Sequence, residues 1–147
     1  MKKRILYFTS FILLIFSNSS CKEDDANLAV SITSLGYNNT HIGYLGGTLG
    51  VNAGILAEKK IENIDVEIRK ENGNLKYGDD NVALITAWSF DSVYTDKYSG
   101  ETEATFIEDI VIPMDADTGA YIFTIKVVDQ KGNKTSAQDD FKLNYGK

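Results

Sequence analysis

The chain alternates apolar and polar residues in runs of about ten, with a repeat of two rather than of three to four. Tyr121, Phe123, Ile125 and Val127 fall on one face, the pattern of a strand covering a core. In Ile61–Lys70, Ile64, Val66 and Ile68 alternate with Asp65, Glu67 and Arg69, so one face is core and the other is wet. The same reading places strands at Leu28–Leu35 (Leu28, Val30 and Ile32 inward) and Thr48–Ala57 (Leu49, Val51, Ala53 and Ile55 inward). Another begins near Val82, with Leu84, Thr86, Trp88, Phe90 and Tyr94 on one side and Ser92 interrupting them. Ala104–Ile112 turns Phe106, Ile110 and Ile112 inward and stops at Pro113, which cannot donate to a ladder. Glu108 shares that apolar face, which points to a bulge or an edge position. The last strand, Lys134–Tyr145, turns Phe141, Leu143 and Tyr145 inward.

Between the strands lie polar and glycine-rich loops at Gly36–Gly47, Glu71–Asn81 and Asp96–Glu103. No helical periodicity of any length appears, and no strand–helix–strand alternation calls for a parallel sheet. The chain is therefore all-β. The segment Asp117-Thr118-Gly119-Ala120-Tyr121 resembles the tyrosine corner of immunoglobulin-like sandwiches, in which a Tyr near the start of strand F bonds back to upstream backbone. That resemblance implies an immunoglobulin-like β-sandwich of about seven antiparallel strands, with 117–129 as strand F and Asp117, Gly119 and Tyr121 as its structural corner. Trp88 and Phe90 are assigned to the core.

The first 20 residues read as an export signal. Lys2, Lys3 and Arg4 form a basic head, and the apolar run Ile5–Phe16 is too short to span a bilayer but suits a signal peptide. Ser19 and Ser20 precede Cys21, the one cysteine in the chain. Small residues before a cysteine resemble a bacterial lipobox, although Asn18 stands where a Leu is usual. A lone cysteine in an exported chain has no internal disulfide partner, so lipidation of Cys21 accounts for it better than folding does. Palmitate and diacylglyceryl chains there, at about 0.8 kcal/mol per buried methylene, hold a protein to a membrane. Lys22, Glu23, Asp24 and Asp25 resemble the export tag of Bacteroidota lipoproteins sent to the outer face of the outer membrane. The domains expected are thus a signal peptide (1–20), an acidic tether (21–27) and a single sandwich (28–147).

Removing residues 1–20 takes away three of 15 basic residues and none of 21 acidic ones, which leaves a mature charge of −9. Such a surface repels phosphate backbones, so nucleic acid is excluded as a partner. The remaining partners are the membrane, through the lipid, and a protein or glycan ligand.

Catalysis finds little support. His41, the sole histidine, has no cysteine nucleophile to activate, and Asp79-Asp80 and Asp139-Asp140 read as solvated charges. We assign no enzyme activity, cofactor or metal ligands. The alternative is a metal- or calcium-binding module: Asp115-Ala116-Asp117-Thr118-Gly119 alternates carboxylates before a glycine but lacks the further ligands of an EF-hand. Tyr37, Tyr44, Tyr77 and Tyr98 fall in loops and suit sugar or protein contacts. Asp91-Ser92-Val93 matches a short O-glycosylation tripeptide of Bacteroidota proteins.

Lys60 to Ile68, Trp88-Ser89-Phe90-Asp91, Ile110-Val111-Ile112-Pro113 and Gly119 through Asn133 resemble, in order and spacing, a family of Bacteroidota lipoproteins classed as a domain of unknown function (DUF4625-like). The resemblance implies an immunoglobulin-like fold with no assigned activity. It also implies histidines on strand faces, which hint at metal. Here the matching positions are Gly50, Arg69, Ile107, Asp109, Ile122 and Thr124, none an imidazole, and the metal role is not carried over.

Overall fold

The computed structural model describes residues 27–71 and 87–146. Cys21, Lys22–Asp25, Tyr77, Asp79-Asp80, Leu84 and Thr86 lie outside the described residues. Eight strands are present among the described residues: β1 (Leu28–Leu35), β2 (Ile42–Tyr44), β3 (Thr48–Ala57), β4 (Ile61–Lys70), β5 (Phe90–Tyr94), β6 (Glu103–Val111), β7 (Gly119–Asp129) and β8 (Lys134–Asn144). They form two packed sheets, one in the order β1-β3-β6 and the other β2-β8-β7-β4-β5. The protein is an all-β sandwich.

The period-two pattern decides which residues meet between the sheets. On β7, Tyr121, Phe123, Ile125 and Val127 have no exposed surface, and Ile64, Val66 and Ile68 of β4 lie buried beside them. Leu49, Val51, Ala53, Ile55, Phe106 and Ile110 close the core from the opposite sheet. β7 lies between β4 and β8, so both of its edges are hydrogen-bonded as well as its inner face covered. Complete burial of each such side chain contributes about 1.5–3 kcal/mol.

Three expectations are corrected. The loop after β1 holds a 3-10 turn at Tyr37–Asn39 and the short strand β2, which pairs in parallel with β8, so the sandwich is not wholly antiparallel. Gly43 allows this seat: a Cβ there would lie 2.7 Å from Leu143 Cδ2 and 2.8 Å from Ile112 Cδ1. Tyr145 follows the end of β8 and is 76% exposed, because the ladder stops at Asn144 before the inward alternation reaches it. Tyr98 is only 6% exposed, its ring packed against Phe106 and Tyr94. Glu108 sits in an unbroken register, so the edge alternative holds: β6 ends its sheet among the described residues. The bulges fall instead at Ile32/Ser34 and Ile61/Asn63.

The β7–β8 hairpin closes on Asp129, which is fully buried. Its Oδ1 accepts from the Lys131 and Asn133 amides at 2.9 Å each, and its Oδ2 from Asn133 Nδ2 at 2.8 Å. Burial alone would raise this carboxyl, but the donors from Asn133 and Lys131 outweigh it and hold the group below the usual carboxylate range. A depressed folded-state value adds stability that is complete above the ordinary value near pH 4 and fades as pH falls through the folded one. Asp129→Asn places an amide against the Asn133 donor and removes the charge-assisted bonds. We expect a loss of about 2 kcal/mol at pH 7 by urea unfolding, and a smaller difference from the parent near pH 2.

Candidate functional site

The residues that open β7 form a compact corner. The Tyr121 hydroxyl donates to the Asp117 carbonyl at 2.7 Å, which ties the start of the strand to the connection before it. Gly119 lies between them at φ +133°, where a side chain would be strained. Asp117 turns its carboxylate onto the Lys70 ammonium at the end of β4. Trp88 packs on Tyr121 with ring centroids 5.9 Å apart, and Phe141 stacks on Tyr121 at 5.7 Å. Burial pushes the Tyr121 phenol up, and the nearby Asp117 carboxylate pushes the same way. The phenol therefore stays protonated and donates. Asp117, Gly119 and Tyr121 are thus brought together, in an arrangement that is structural in character.

The same geometry bears on the ionic alternative. Asp117 already has a cation in Lys70, and Asp115 is exposed two residues away. Among the described residues no group of three or more His, Cys, Asp or Glu side chains is arranged to hold a metal ion. His41 precedes β2, with Nδ1 3.0 Å from the Asp140 carbonyl and 3.4 Å from the Asp139 carboxylate.

A second cluster was not visible in the sequence. Glu108 on β6 points inward, and its carboxylate takes both the Lys97 ammonium and the Tyr98 hydroxyl, the latter at 3.3 Å. Lys97 lies over the Tyr98 ring, 5.1 Å from its centroid. The hydrogen bond to Glu108 raises the Lys97 ammonium above its ordinary value. Burial raises Tyr94, and the Glu108 charge adds to the shift. An apolar-face glutamate with a lysine eleven residues earlier was the only available hint, and spacing across a loop carries little information about such a pair.

Ser92 alternates inward with Phe90 and Tyr94 and is half-buried, while its neighbour Asp91 pairs with Arg69 at 3.1 Å. Tyr37 is exposed on the turn after β1, and Tyr44 is half-buried on β2. The six positions matched to histidines divide between the two sheets. Gly50, Ile107 and Asp109 belong to β3 and β6; Arg69, Ile122 and Thr124 belong to β4 and β7.

Tyr121→Phe keeps the ring contacts but leaves the partly buried Asp117 carbonyl without its donor. We expect a loss of about 1 kcal/mol or more, read as a lower melting temperature, with Phe141→Leu as a packing control that leaves the bond intact.

No curated protein matches the chain. Seven chains of solved structures do. One is the crystal structure of Spo0M, a sporulation control protein from Bacillus subtilis, 14% identical, with a TM-score of 0.44 over 81% of this chain and 49% of that one. The chain spans about half the length of that protein, and a likeness at this level carries no argument. A family model, by contrast, matches residues 18–144, nearly the whole chain. The protein belongs to the family described as Domain of unknown function (DUF4625).

Proposed function

We propose that the protein is a cell-surface lipoprotein whose immunoglobulin-like sandwich is a non-catalytic binding or bracing module. In this reading the signal peptide is removed, Cys21 is acylated, and Lys22–Asp25 direct the chain to the outer face of the outer membrane. The division of strands supports the fold label: β1, β3 and β6 in one sheet against β4, β7 and β8 in the other parallels the A-B-E and C-F-G sets of immunoglobulin domains.

The observation that carries the reading is where the tether meets the domain. Leu28 pairs with Ala57, and Asn27 accepts from the Glu58 amide at 3.1 Å and bonds its side chain, so the chain arrives pinned at one end of the sandwich. Leu35, Val111 and Asn144 end their strands at the other end, beyond which Tyr37, Met114 and Tyr145 stand exposed. Strands of ten residues separate the two ends by roughly 30 Å. Six residues between Cys21 and Leu28 reach at most about 20 Å. A lipid on Cys21 therefore keeps the pinned end near the bilayer and turns the exposed end outward, the layout of a display module.

Growth with an alkyne palmitate analogue tests the anchor. The wild-type chain is expected to take up label and sediment with membranes, and Cys21→Ser to do neither. An unlabelled wild type, or a Cys21→Ser chain that still sediments, would refute lipid attachment at this residue. Brief protease treatment of intact cells is expected to degrade the domain, whereas full protection would place it on the periplasmic side.

A further inference from the structure

The two sheets differ in charge. β1, β3 and β6 contain no lysine or arginine in their whole length, and their three acids all lie on β6. The five-stranded sheet has both signs in its ladder, including Arg69, Lys126 and Lys142 with Asp65, Glu67 and Asp140. Lys97 reaches β6, but it is tied to Glu108, whose side chain points away from the outer face.

The outer face of the three-stranded sheet also has a floor that is open at Gly54, while at Gly50 a Cβ would lie 3.3 Å from Asp109 Oδ1. Its central strand turns Gly50 and Gly54 outward, each opposite a β6 residue, Asp109 and Thr105 respectively. Nothing in the fold calls for glycine at Gly54. Its φ is ordinary for a side chain, and a Cβ built there meets no atom within 4 Å. Glycine inside a strand weakens it and is found where another backbone comes close. Beside this floor Ile107 and Val111 are 59% and 70% exposed, with Glu103 and Asp109 exposed on the same side of β6. The result is a shallow apolar trough with an acidic rim.

We propose that this face docks a cationic protein partner, one that lays an extended segment of alternating basic and apolar residues along β3. Its apolar residues cover Ile107 and Val111, and its lysines or arginines meet Glu103 and Asp109. Charge decides among the occupants. A second copy would set acids against acids with no cation in either face, and an anionic lipid or phosphate surface would be repelled. The outward positions offer no aromatic ring on which a sugar could stack. This inference names a contact for the binding module proposed above, and rests on that part of the reading but not on the lipid.

The test uses residues 21–147, which hold every strand and core residue described above, with Cys21→Ser, labelled for NMR. The probes are a peptide of about ten alternating lysines and valines and its glutamate–valine counterpart. The lysine peptide is expected to shift the amides of Gly50, Gly54 and Ile107, and the glutamate peptide to leave them unmoved. Asp109→Lys, an exposed change, should weaken the lysine peptide by about tenfold or more while the spectrum stays dispersed. Gly54→Thr should raise the melting temperature yet weaken binding, two effects that a purely structural glycine would not combine. Absence of shifts, shifts confined to Asp65, Glu67 and Asp140 on the other sheet, or affinity unchanged by Asp109→Lys would overturn the proposal. Because the tested chain carries no acyl group, failure would leave the anchor untouched, and failure of palmitate labelling would leave this surface untouched.

Discussion

The inner face of β7 is the constraint on which the sandwich depends. Tyr121, Phe123, Ile125 and Val127 are removed from water together, and each carries its backbone partners on β4 and β8 with it. A slip of one residue would turn all four rings and branches to solvent and bring Ile122, Thr124 and Lys126 into the core. The alternation therefore fixes the pairing, and the pairing fixes where the flanking loops leave the sheet. Tyr121 adds a second restraint at the strand's start, since its ring is held by Phe141 and Trp88 while its hydroxyl holds Asp117.

The two ends of β7 are secured by different means. At Gly119 the chain needs a backbone angle that favours glycine, and the Lys70–Asp117 pair braces the turn that precedes it. At Asp129 a buried carboxylate gathers the amides of the following turn and sets the hairpin into β8. A neutral core strand thus terminates at each end in an acid whose charge is compensated, once by an ammonium and once by fixed N–H dipoles. Compensation of this kind allows an acidic chain to place carboxylates at the boundary of its core.

How far the sequence could be read follows from what period two encodes. The bounds of β1, β3 and β4 agree with the alternation, as do the buried residues of β7, because inward and outward positions differ sharply in polarity there. β2 escaped notice since three residues, Ile42-Gly43-Tyr44, hold too few alternations to register, and its central glycine is recruited for close approach rather than for a side chain. Tyr98 lies in a loop and is nonetheless buried, because loop membership follows local glycine and polar content, whereas burial of its ring depends on Phe106 and Tyr94 arriving from other strands. The corner was legible as a motif. The charge asymmetry between the sheets was not, since it appears only after β1, β3 and β6 are known to be neighbours.

The inward glutamate of β6 has a consequence at the scale of a populated surface. In the lipid-anchored reading proposed above, copies of the chain share a plane and meet one another far more often than the same number free in solution, and the margin of β6, unpaired among the described residues, is a template for strand exchange. Lys97, drawn over that margin by Glu108, lies 3.5 Å from the Ile107 carbonyl as well, so the groups a neighbour would pair with meet an ammonium first. In that reading, an ammonium held at the margin of β6 by a half-buried carboxylate lets many copies stand side by side without fusing into a continuous sheet.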